Sequence, residues 1–407
     1  MISQLLFILI CIYLFYVLLF KYIKNGCFIF NFNSVFTLGF VYYIILPYFL
    51  CVFTNNAFLP DSFELVYQYS ERITEFKKII FLLSIFLLYI SMTNFSKLHS
   101  NTNLCRKEYN QHNTILFKIL FFVVSSVCMY YSIANFRYIG GGYMLGHSET
   151  IGALISFTSI LFILSIIIVT PQKSIITVYT LIYLFFALII VSMGTRMYLI
   201  TSILALLLLY TNYRKQIRIK HLLLYFVAIA FIFSIIGIIR NGGEVSYESM
   251  TYILLGEPIF TSCSLFSFLQ RNDVPLLSMP KDFFIYFYEL IPKFLDSDKI
   301  EILRSAQNVS QLGIAFESPL GAINVFVSLM FNFGIIGIPF FCFLISILLR
   351  YIRKLNNDVY FYSTSIFMFI FFRDPFNISI VKMLFEVCYL IPMLLLYIGR
   401  KYESHRF

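Results

Sequence analysis

Between Lys173 and Arg214 the chain runs forty residues, 174–213, with one charge among them, Arg196. At a rise of about 1.5 Å per residue, such a run crosses the ~30 Å hydrocarbon core of a bilayer twice. In lipid every backbone N–H and C=O must be paired inside the protein, which leaves helices as the economical solution for these residues. The two stretches meet at Ser192-Met193-Gly194-Thr195-Arg196. A guanidinium at such a joint is costly unless an anion or a water-filled cavity receives it. A small-residue turn with one arginine at a helix mouth points to a site for a phosphate-bearing lipid.

The remaining residues extend the same pattern. Of 407 residues, 60% are apolar and 12% charged, with 49 Phe, 30 Tyr and no Trp. A soluble domain carries about a quarter charged residues, so the composition predicts a polytopic integral membrane protein. Its interfacial aromatic belt must be built from Tyr and Phe. The first apolar run, 2–20, is long enough to stay as a span rather than act as a cleaved leader. Eight cysteines are scattered, with no pair at metal-ligand spacing, so neither a metal site nor a disulfide framework is implied.

Apolar windows predict about eleven spans (ten to twelve), near 2–20, 35–53, 79–95, 115–134, 151–170, 175–193, 197–211, 222–239, 322–349, 359–372 and 379–398. The stretch 322–349 is long and broken by glycine, so a half-helix followed by a span is an alternative there. Charges then assign sides. Lys21 and Lys24, then Lys97, Arg106 and Lys107, then Lys173, then Arg214–Lys220, then Arg350–Lys354, then Arg400–Arg406 fall in alternate connections. The positive-inside rule makes those connections cytoplasmic, with the N-terminus outside and the C-terminus inside. Net charge +10 is thereby topological, and no nucleic-acid partner is needed to explain it. Three regions follow: 1–239 with about eight spans, a large outer segment 240–320, and 321–407 with about three spans and a tail. The outer segment holds ten of the twenty acids against six bases, and a connection of that length is usually functional.

Outer-face arginines beside turn-forming residues are the candidate anion ligands. Arg196 follows Gly194-Thr195, Arg240 precedes Asn241-Gly242-Gly243, Arg137 precedes Gly140-Gly141-Gly142, and Arg373 precedes Asp374-Pro375. Glycine lets backbone N–H groups approach a phosphate while the guanidinium grips it with two parallel bonds. The bland alternative is that such arginines snorkel to lipid headgroups, and Arg373 has Asp374 beside it. Lys382 and Glu386, four apart in the last span, form either a clasp between helices or part of a cavity's charge. For acid–base chemistry the outer candidates are Glu317, Glu244 and His147, in that order, with Glu149, Glu257, Asp273 and Glu289 behind them. Glu317 lies where the long segment re-enters the membrane, in Phe316-Glu317-Ser318-Pro319. An acid at a helix start accounts for it equally well. No catalytic triad, ATP-binding loop or metal motif is present, so a substrate must arrive already activated.

In order along the chain, these elements resemble the O-antigen polymerase (Wzy) family of bacterial inner-membrane glycosyltransferases. The pieces are Gly140-Gly141-Gly142-Tyr143 in an outer loop, Gly194-Thr195-Arg196 opening a Leu/Ile-rich span, and Arg240 at the start of the dominant outer loop. That loop returns through Asn324 to Phe331-Asn332-Phe333-Gly334-Ile335-Ile336-Gly337, similar to the family's aromatic-polar-Phe-Gly-x-x-Gly element. The resemblance implies an all-α membrane protein with one large periplasmic loop, and no cofactor. It implies an undecaprenyl-diphosphate-linked oligosaccharide as both donor and acceptor, and a chain-length co-polymerase as partner. Arg196 and Arg240 would hold the diphosphates. The related ligases carry a histidine where the loop returns to the membrane. Here Ser318-Pro319-Leu320-Gly321 stands there, which favours polymerase over ligase or another lipid-linked glycan transferase, and over a flippase.

Overall fold

In a computed structural model of the chain, the structure describes residues 2–29, 32–95, 126, 217–240, 243–280, 288, 298, 301, 316–318, 323–354 and 371–372. These are mostly helical, and four helices are long and apolar enough to cross a membrane, or five if one bent pair counts as a span. The apolar helices mark a membrane-embedded protein. The expected spans 115–134 (Ser126 apart), 151–170, 175–193, 197–211, 359–372 (Phe371 and Phe372 apart) and 379–398 lie outside the described residues.

Helix α1 (Ile2–Tyr22) carries its apolar residues all round, as a lipid-facing span does. It stops where Lys21 and Lys24 break the run, and Asn25-Gly26 turns the chain with φ of 51° and 70°. Two successive positive φ values are what a tight two-residue hairpin requires. That turn joins β1 (Ile23–Lys24) to β2 (Cys27–Phe28), and β2 pairs in turn with β3 (Ile217–Arg218). The small sheet therefore ties the basic connection after α1 to the basic connection near Arg218. Charge alone assigns both connections to one side. Helix α2 (Asn33–Phe53) then runs away from the sheet. A short amphipathic helix, α3 (Glu64–Glu71), connects it to α4 (Glu75–Phe95), which returns. The Ser3 N–H and hydroxyl both donate to the Glu75 carboxylate at 2.9 Å, fastening the start of α1 to the start of α4.

From the sheet, α5 (Ile219–Arg240) leads to α6 (Tyr247–Gln270). The sequence treats 240–320 as a single outer segment without a span. Within it, α6 is a 24-residue helix buried almost throughout its second half. Its length and composition would allow it to cross a membrane, but both of its ends meet the same end of the bundle. The Tyr247 hydroxyl donates to the Phe58 carbonyl, just past the end of α2. Lys77, in the first turn of α4, donates to the carbonyls of Leu269 (3.0 Å) and Arg271 at the other end of α6. Both ends of the helix thus meet the end of the bundle remote from the sheet.

Pro258 sits inside α6, where it can give no N–H to the Leu254 carbonyl four residues back. The Tyr42 hydroxyl of α2 takes that carbonyl at 3.0 Å. Tyr43 donates to Glu257 at 3.0 Å, and Ser262 donates to the Tyr43 carbonyl at 3.2 Å. A helix break in the sequence thereby becomes the joint between two elements.

The run expected over 322–349 is α7 (Val325–Phe333) and α8 (Gly337–Lys354), whose axes meet at 110°, the geometry of a broken span or a re-entrant loop. Residues 325–332 are all buried, whereas α8 keeps an exposed face at Phe340, Leu344 and Ile347, in line with the exposed Ile336 just before it. The bend occurs at Gly334 (φ 77°, ψ 174°), a conformation open essentially to glycine alone. A Cβ there would lie 2.5 Å from the Leu276 carbonyl oxygen, and one at Gly337 would lie 2.5 Å from the Phe333 Cβ. Residues 275–278 clamp the bend. Ile335 and Ile336 donate to the Pro275 and Leu276 carbonyls at 3.2 and 3.0 Å, and Ser278 donates to that of Phe333 at 3.1 Å. An aromatic core joins these parts, with Phe372 packed on Phe36, Phe40 and Phe326 at 5.2–6.0 Å between ring centres.

Candidate functional site

Small hydroxyl residues on α6 build the floor of the site. Thr261, Ser264 and Ser267 each donate to a carbonyl three or four residues back, at 2.7, 2.6 and 3.0 Å. Their polarity is thus spent within the helix, and they remain dry enough to pack. Each hydroxyl oxygen can still accept. The Ser267 oxygen accepts the Glu317 N–H at 2.9 Å, and its own proton is also within reach of the Glu317 carbonyl at 3.1 Å. One turn away, the Ser264 oxygen accepts the Asn324 N–H at 2.9 Å. Two adjacent serines therefore fix the backbone on either side of residues 319–322.

Glu317 is exposed, yet its carboxylate is held. The Tyr69 hydroxyl, on the buried face of α3, donates to Glu317 Oε2. Burial, the bond to Glu317 and the negative charge of Glu317 push the Tyr69 phenol up to about 12 from 10.0. Tyr69 is then a neutral donor at any physiological pH, which is the form that orients a carboxylate.

Asn324 caps α7. Its Oδ1 accepts from the Phe326 N–H at 3.0 Å, and its backbone carbonyl accepts from Val327 at 3.0 Å. The Phe326 N–H fixes which way the amide faces, because a reversed amide would set donor against donor. Asn324 Nδ2 consequently lies at the helix mouth. It is fully buried and has no hydrogen-bond partner among the described residues, and the same is true of the hydroxyl oxygen of half-buried Ser318. A buried polar atom left unpaired costs about 1–3 kcal/mol.

The other sequence-derived candidates fall elsewhere. Glu244 is exposed before the start of α6, its carbonyl accepting from the Ser249 hydroxyl at 2.7 Å. From there to the Ser267 end of the helix is on the order of 30 Å along its axis, so Glu244 and Glu317 do not share one site. Glu257 accepts from Tyr43 in the joint between α2 and α6. Asp273 forms two bonds with Arg271, at 3.0 and 2.8 Å, and that guanidinium holds its carboxyl below the usual range. Arg240 ends α5, with its side chain outside the described part. Arg137, Arg196, Arg373, Lys382, Glu386, His147, Glu149 and Glu289 lie outside the described residues.

Sequence patterns do not single out Tyr69, Ser264, Ser267 or the donor role of Asn324. The spacing of Ser264 and Ser267, one turn apart in an apolar stretch, was the available signal. Among the described residues, no group of three or more His, Cys, Asp or Glu is placed to hold a metal ion. Comparison with known proteins finds no matching family profile, no matching curated protein and no matching solved structure.

Proposed function

We propose that this chain is an O-antigen polymerase of the bacterial inner membrane. It would join undecaprenyl-diphosphate-linked oligosaccharide repeat units at the periplasmic face during lipopolysaccharide biosynthesis. The observation that carries the reading is the exposed Glu317, its carboxylate gripped by Tyr69 and its backbone by Ser267, next to the capped mouth of a broken apolar helix pair. The chemistry needs one base at a membrane boundary and no nucleotide, and the sequence offers no nucleotide-binding motif.

In the reaction, a hydroxyl of the acceptor sugar attacks the anomeric carbon of the donor glycan. The new C–O glycosidic bond forms as the anomeric C–O bond to diphosphate breaks, and undecaprenyl diphosphate leaves with the electron pair. Glu317 takes the hydroxyl proton, a contribution of roughly 10²–10⁴ in rate for a positioned base. Arg196 and Arg240 neutralise the charge gathering on the leaving group, at about 3 kcal/mol per well-placed donor. Arg137 and Arg373 are further diphosphate ligands. A chain-length co-polymerase would set where extension stops.

Reconstitution tests this directly. The purified chain in lipid nanodiscs, given lipid-linked repeat unit and no nucleotide, should form polymer and release one undecaprenyl diphosphate per linkage. A requirement for ATP, or transbilayer movement of the lipid without new linkages, would refute the reading.

A further inference from the structure

The two orphaned donors beside Glu317 call for a ligand, and their chemistry says which kind. A helix mouth by itself favours an anion. Here, however, two of the first-turn donors are already occupied, Phe326 by the Asn324 side chain and Val327 by the Asn324 carbonyl. The neighbouring charge is also the wrong sign for a phosphate, because Glu317 and Asn324 hang from serines one turn apart on α6. What remains is an amide donor, Asn324 Nδ2, a hydroxyl, Ser318 Oγ, and a carboxylate braced by a tyrosine. That is the donor-and-acceptor mixture that suits neutral vicinal hydroxyls.

We infer that Asn324 and Ser318, together with Glu317, form a subsite for an uncharged saccharide, the acceptor sugar, distinct from the place where diphosphate is held. The identity of that saccharide as the growing polymer's acceptor rests on the polymerase reading; the subsite itself rests on the geometry. In this arrangement Asn324 and Ser318 are positioning residues. Asn324 donates to a sugar oxygen, and Ser318 donates to or accepts from a hydroxyl next to the one that Glu317 deprotonates. The exposed side of Glu317 gives the sugar its approach.

The experiment uses the full chain in nanodiscs and two probes. One is the free one-unit oligosaccharide, released from the cell's surface polysaccharide, and the other is inorganic diphosphate. Binding is read by saturation-transfer NMR. Asn324→Asp keeps an oxygen that caps α7 but removes the donor, and Asn324→Ser keeps a capping hydroxyl without adding a charge. Both should weaken oligosaccharide binding about tenfold, the scale of one lost buried hydrogen bond, and leave diphosphate binding unchanged. Ser318→Ala should act in the same direction with a smaller effect. Equal oligosaccharide binding in all three variants would overturn the inference, because the orphaned donors then hold only water. Loss of diphosphate binding instead would also overturn it, by showing an anion pocket. The two readings fail separately. If deletion of the chain leaves polysaccharide length unchanged while Asn324→Ser loses the oligosaccharide, the polymerase reading falls and the saccharide subsite stands.

Discussion

At the scale of single residues, the account turns on Glu317 and the phenol that holds it. Glu317→Gln preserves shape and removes the base, so polymer formation should fall by roughly 10²–10⁴ with protein level unchanged. Quantitative gels of reconstituted product measure it, and near-normal turnover would remove Glu317 from the chemistry. Tyr69→Phe tests the brace through pH. The Tyr69 phenol is pushed up to about 12 in the folded chain from 10.0. The stabilisation that its proton provides is therefore complete below pH ~10 and is lost as pH rises towards ~12. Thermal unfolding of wild type and Tyr69→Phe should accordingly differ by a constant amount at neutral pH and converge at the alkaline end. A difference that instead grew with rising pH would contradict the bond. Arg196→Ala and Arg240→Ala should each leave cells with single-unit lipopolysaccharide, and Arg→Lys should rescue only in part, because a lysine has no planar fork.

At the scale of elements, the broken pair α7–α8 depends on two glycines that do different things. Gly334 supplies a backbone conformation and room for the Leu276 carbonyl, whereas Gly337 makes room for the Phe333 side chain. Gly334→Ala meets both backbone strain and overpacking and should destabilise by at least about 2 kcal/mol. Thermal unfolding in detergent would show it, and an unchanged midpoint would mean the bend is not held as described. The break itself was legible in the sequence, because two glycines three apart interrupt an otherwise continuous apolar run at Phe333-Gly334-Ile335-Ile336-Gly337. Helix α6 was not. Glu248, Glu257, Pro258 and a series of serines and threonines make Tyr247–Gln270 read as part of a polar outer segment. Its hydroxyls bond inside their own helix, and Pro258 has its missing bond replaced from α2. Composition counts those groups as polar, while packing treats them as satisfied. Glu317 was legible for a related reason, as a carboxylate at a boundary between loop and apolar run. Its partners were not, since Tyr69 is 248 residues away in sequence.

At the scale of the whole molecule, the charge pattern and the fold meet at the small sheet. The sheet of β1, β2 and β3 brings Lys24 and Arg218 to one end of the bundle, as alternate basic connections require. In a cysteine-free background, labels at positions 24 and 218 should react from one side of the membrane, and labels at 246 and 272, flanking α6, from the other. Reaction of 246 and 272 from opposite sides would show that α6 crosses the bilayer rather than lying across the bundle end.

The central claim is that these parts serve polymerisation, and the most direct measurement is the banding of surface polysaccharide from a strain lacking this chain. The account predicts lipopolysaccharide capped with one repeat unit, restored to a full ladder by the wild-type chain and left at one unit by Glu317→Gln. Bare core without a single-unit band, or a full ladder in the deletion strain, would contradict it.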